Sequence, residues 1–89
     1  MHEATLLKDI MRKLEHVADE QGAARITAVH LRLGALAHIS ADHLREHFEE
    51  ASRGTRAEGA RVEIEEVAEI DDPHAQDILL TSVEVPDDR

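Results

Sequence analysis

The stretch that decides the fold is Arg25-Ile26-Thr27-Ala28-Val29-His30-Leu31-Arg32-Leu33-Gly34. Val29, Leu31 and Leu33 take every second position, and His30 and Arg32 stand between them. Successive side chains of an extended chain point to opposite faces, so this alternation predicts a strand over residues 25–33 with one buried and one solvated face. Strands of this half-solvated kind are typical of antiparallel sheets, and an antiparallel arrangement is expected. Gly34 breaks the strand.

Upstream, Leu6, Leu7, Ile10, Met11, Leu14, Val17 and Ala18 recur at three- and four-residue spacing and predict a helix over residues 5–21. Thr5 is its expected N-cap and Gly22 its stop. Downstream, Ser40 caps a second helix expected over residues 41–52. Ile39 and Leu44 are spaced for a hydrophobic staple, and Leu44, Phe48 and Ala51 form the buried stripe. Gly54 ends that helix. Alternation returns from Arg61 to Val67, with Val62 and Ile64 on one face. Residues 68–77 are acidic, hold Pro73 and read as a loop; Ile78 to Val85 reads as a last strand. The order helix, strand, helix, strand, strand predicts an α+β fold, with two helices packed on one face of a small three-stranded sheet.

Composition narrows the function. At 89 residues the chain is one small domain, with a modest core. Leu, Ile and Val supply 21 residues and Ala 13, while Phe48 is the only aromatic. Such a core does not wall a large enzyme cleft. Twenty acidic against ten basic residues give a net charge of −10. That argues against a phosphate-reading surface and disfavours anionic lipid; it is compatible with solubility, a basic protein partner or a divalent cation. No nucleic-acid and no membrane partner is expected. There is no Cys, which removes disulfides, thiolate catalysis and a Cys-based zinc site. No run approaches the roughly 18 apolar residues of a membrane span. The N-terminus lacks the pattern of a signal peptide, so a cytoplasmic location is expected. Seven His are the one enriched reactive type.

Three constellations could carry chemistry. In Met1-His2-Glu3, the terminal amine, the amide nitrogen of His2 and its imidazole can close adjoining chelate rings on one metal. Planar, nitrogen-rich ligation suits Ni(II) or Cu(II), with Glu3 or water in the fourth position. The competing reading is an inert chain tip. His43-Leu44-Arg45-Glu46-His47 spells the pattern of inverted zinc peptidases. A peptidase needs another ligand from a second element and a cleft, so an exposed helix face with incidental metal affinity is expected instead. Glu63, Glu65, Glu66, Glu69, Asp71 and Asp72 could attract a cation, but read as a solvated strand face and loop. His30 and Arg32 read as solvent-facing, and His16, His38 and His74 find no partner by spacing.

Taken together, Met1-His2-Glu3, Gly22-Ala23, the run from Arg25 to Leu36, Leu44, Phe48, Gly54-Thr55, Ala57-Glu58-Gly59-Ala60 and Ile64-Glu65 resemble the HypA/HybF family of hydrogenase nickel-incorporation proteins. The resemblance runs from residue 1 to about residue 67. It implies a nickel-binding domain spanning residues 1–89, with Met1, His2 and Glu3 as ligands. It also implies a non-enzymatic metallochaperone that passes Ni(II) to a hydrogenase large subunit, with a maturation GTPase as partner. The family inserts a zinc lobe with two Cys-x-x-Cys pairs before its last strand. Here residues 69–77 hold that place without Cys, so no zinc is expected and residues 68–77 are read as a short replacing loop. Two alternatives stand: an interaction module that binds a hydrogenase or maturation protein without delivering metal, and a small hydrolase using His43, Glu46 and His47. Asp42 or His38 could approach the N-terminus. The metal's fourth ligand and final acceptor, and the oligomeric state, stay open.

Overall fold

The computed structural model of the protein describes residues 3–86. The elements are α1 (Glu3–Gln21), β1 (Ala28–Leu33), α2 (Ala41–Ser52), β2 (Arg61–Glu66) and β3 (Ile78–Glu84). The three strands form one sheet in the order β2-β1-β3. This is the α+β architecture expected from the sequence.

The pairing corrects one expectation. β1 runs antiparallel to β3 but parallel to β2, with Val29 opposite both Val62 and Val83. The cause is α2, which lies between β1 and β2 in the chain. A helix carries the backbone from the end of one strand back to the level of its start, and the next strand then runs the same way. The antiparallel register also shifts between His30 and Leu31, skipping Thr81. The Thr81 hydroxyl donates to the His30 carbonyl (3.1 Å).

The buried face of the sheet meets both helices in one core. Leu7, Ile10, Leu14 and Ala18 of α1 and Leu44 and Phe48 of α2 pack with Val29, Leu31, Leu33 and Val62. Phe48 is 1% exposed and is the largest fully buried side chain. The opposite face carries His30, Arg32, Glu63 and Glu65, half-buried or exposed.

Local signals explain the ends of the helices. Gly22 has φ 63°. The Ala23 amide reaches back to the Ala18 carbonyl (2.9 Å), closing α1 with a left-handed turn. The Ser40 hydroxyl accepts from the His43 amide (3.1 Å) and caps α2. Two finer expectations fail. Thr5 lies inside α1, because the helix already runs from Glu3. In α2 the third buried position is Ser52, not Ala51. Positions 44, 48 and 52 fall one turn apart on one side, and Ser52 is satisfied there by donating to the Glu49 carbonyl (3.0 Å).

The connection from β2 to β3 contains only turns and bends, and it is pinned at the end of β1. The Val67 amide donates to Leu33 (2.9 Å), Gly34 to Asp77 (3.0 Å) and Leu36 to Ala75 (2.7 Å). Ala75 is buried against Gly34.

Candidate metal centre

The expected ligands Met1 and His2 lie outside the described residues. Glu3 is the first residue of α1. The position of that helix start can be read from its neighbours. Leu7, Lys8 and Met11 share a shallow hollow with His47, Glu50, Ala51 and Thr55. Further along, Arg56 donates to Glu15 (2.8 Å), to Asp19 and to the Ala23 carbonyl (3.2 Å). Rising residue numbers on α1 therefore meet rising numbers on α2 and just beyond it. The helices run alongside in the same direction, and the start of α1 lies toward the His43 end of α2.

Arg56 is the residue that fixes this alignment. Its hydrogen bond to Asp19 does most to raise its pKa, with Glu15 adding to the effect against a partial loss of water. The charged guanidinium ties the end of α1 to the turn after α2. Nothing in the local sequence marks Arg56 for this role, since its partners lie 33 to 41 residues away.

His43 and His47 share an exposed side of α2, as their four-residue spacing predicts. Their Nε2 atoms are 2.7 Å apart, and their rings meet edge to face with centroids 4.3 Å apart. Glu46 is also exposed. Among the described residues no group of three or more His, Cys, Asp or Glu could hold a metal ion. The peptidase reading of this segment thus finds no third ligand there.

The other candidates are engaged locally. His30 lies 2.7 Å from Glu84, and Arg61 reaches the same carboxylate at 3.3 Å. The His30 hydrogen bond lowers the Glu84 pKa most, and Arg61 adds to this against partial desolvation. Arg32 pairs with Glu65 (3.3 Å). His74 takes Asp77 through its ring (2.9 Å) and Asp72 through its amide (2.7 Å). His16 is 3.5 Å from Glu20. The carboxylates at 63, 65, 66, 69 and 71 are exposed and Asp72 is half-buried. His38 adopts a left-handed φ of 61° in the turn before α2.

A family model described as hydrogenase/urease nickel incorporation, metallochaperone, hypA matches residues 1–70. The chain belongs to the HypA family. A hydrogenase maturation factor HypA from Roseiflexus sp. is 49% identical over 67 residues, which cover 75% of this chain and 54% of that protein. One from Chloroflexus aurantiacus is 48% identical over 67 residues, 75% of this chain and 59% of its own length. The chain thus spans little more than half the length of these HypA relatives. The solution structure of the Ni metallochaperone HypA from Helicobacter pylori superposes with a TM-score of 0.76 at 15% identity, covering 96% of this chain and 97% of that one. A second HypA solution structure gives 0.78, also at 15% identity, with 99% and 98% covered. These two likenesses concern the fold, and they include β3, which lies beyond the HypA family match.

Proposed function

We propose that this HypA-family chain is a nickel carrier for hydrogenase maturation and not an enzyme. It captures Ni(II) with the Met1 amine, the amide and imidazole nitrogens of His2, and Glu3. The observation that carries this reading is the Met1-His2-Glu3 start, which stands within the family match over residues 1–70. The first three residues place a terminal nitrogen, an amide nitrogen and an imidazole at chelating spacing, a donor set suited to planar Ni(II). Ligands at a chain end can be given up without unfolding the core. The acceptor is a hydrogenase large subunit, reached with a maturation GTPase, in the cytoplasm. Residues 68–77 stand where the family carries its Cys-rich lobe, and no zinc is bound there.

The test is a nickel titration by calorimetry and visible spectroscopy on protein with a free Met1 amine, beside His2→Ala. One tightly held equivalent with a planar nitrogen-ligand spectrum, lost in His2→Ala at unchanged melting temperature, supports the reading. Full affinity in the variant refutes the ligand assignment. Metal analysis of the purified protein checks the zinc statement.

A second reading is favoured by the open sheet face, where His30, Arg61 and Glu84, and Arg32 with Glu65, form a charged surface. There the chain binds a maturation partner without delivering metal. A pull-down that is indifferent to nickel and to His2→Ala supports this reading against the first.

A further inference from the structure

Apart from the chain start, the seven histidines include one pair in direct ring-to-ring contact among the described residues, His43 with His47. We propose that this pair is a separate transition-metal site, a two-imidazole chelate for a divalent ion such as Ni(II), Cu(II) or Zn(II). It uses imidazoles other than that of His2, and its test separates it from the Met1-His2-Glu3 reading.

The geometry carries the inference. Two imidazole nitrogens on one metal lie about 2.0–2.1 Å from it, which puts them about 2.9 Å apart at a right angle and about 3.4 Å apart in a tetrahedron. The two Nε2 atoms now stand 2.7 Å apart. A metal enters between them if the side chains open by a few tenths of an ångström. At 2.7 Å the nitrogens share one hydrogen, with one ring donating and the other presenting a lone pair. The metal replaces that hydrogen, which leaves as a proton or moves to Nδ1 of the donating ring.

The scaffold favours the site. Both residues project from a regular stretch of α2, fixed on its other side by Leu44 and Phe48, so the backbone positions that carry them are set before metal arrives. Two His one turn apart on a helix is a recurring metal-ligand arrangement. The net charge of −10 draws cations to the protein in general. Among the described residues no third His, Cys, Asp or Glu joins the pair to hold a metal. Two such ligands give a weaker, faster-exchanging site than a closed four-ligand cage, and selectivity among late divalent ions follows affinity order.

The experiment uses the full chain carrying His2→Ala, so that the chain start cannot contribute an imidazole. Ni(II) is added as its chloride while proton–nitrogen NMR spectra and the melting temperature are recorded. His43→Ala and His47→Ala are each placed in the same background. The expected result is early paramagnetic broadening centred on residues 43–47. A metal-dependent rise in melting temperature should accompany it. Apparent affinity should fall at least tenfold in either second variant. Both imidazoles are exposed, so the variants keep the fold, and their spectra without metal check this. Broadening spread evenly over His16, His30, His38 and His74, unchanged in the two variants, means an adventitious ion only and overturns the proposal. Loss of all binding in His2→Ala alone also overturns it, because the pair would then hold no metal of its own.

Discussion

Gly34 lies with its bare Cα against the backbone of Ala75: a Cβ at position 34 would stand 2.2 Å from the Ala75 carbonyl oxygen and 2.6 Å from that of His74. The obstacle is main chain, so no change of rotamer relieves it. Gly34→Ala must push the 67–77 connection away and strain the bonds from Gly34 to Asp77 and from Leu36 to Ala75. The expected cost is about 1–3 kcal/mol. Urea unfolding measures it. Faster hydrogen exchange at the Leu36 amide than at the β1 amides would locate the damage, and wild-type stability would contradict this packing.

Phe48 anchors the core alone, since no other aromatic exists in the chain. Phe48→Ala should remove about 3–5 kcal/mol, a large share of what a domain this small possesses. The urea midpoint should fall steeply. A loss below about 1 kcal/mol would mean that the helices close over the cavity.

Ser40 accepts the His43 amide at the start of α2. Ser40→Ala should cost about 1 kcal/mol, and Ser40→Asp should keep most of the capping. A matched pair of thermal melts separates the two outcomes.

Glu84 predicts a pH effect. Its folded pKa lies below the ordinary glutamate value because His30 hydrogen-bonds to the carboxylate and Arg61 faces it. A lowered carboxyl pKa contributes stability above the unfolded value, and that contribution is lost as pH falls through the folded one. The effect therefore belongs to the acid range just below the ordinary glutamate pKa. Carbon-detected NMR titration of Glu84 should give a midpoint below normal, and His30→Ala should raise it. An unmoved midpoint would assign the shift to Arg61 alone.

Much of this fold is legible because its signals are local. Ser40, Gly22 and the three- and four-residue spacing of Leu7, Ile10, Leu14 and Ala18 each act within a turn or two of helix. The parallel β1–β2 pair was legible in principle, since a helix between two strands demands it, but the alternation of Val29, Leu31 and Leu33 reports only a half-buried face. Arg56 and Gly34 were not legible. Their partners come from elements far along the chain, and neither residue type announces such a contact. At the candidate site, the spacing of His43 and His47 gave their shared face but not the meeting of their rings, which depends on the rotamers both adopt. The Met1-His2-Glu3 proposal rests on donor chemistry and family alone.

Leu33 stands opposite Glu66 on one side and Ile78 on the other. The segment from 67 to 77 therefore leaves and re-enters the sheet across two strand spacings, about 10 Å. Any insert whose own ends meet at that separation can be grafted there without moving the strands. It would forfeit the bonds that Leu33, Gly34 and Leu36 make with Val67, Asp77 and Ala75 and the burial of Ala75, while the entropy of closing a longer loop grows slowly with length. The molecule thus carries an exchangeable cassette position, open to a reporter peptide or a whole folded module, on the side of the sheet where β1 ends.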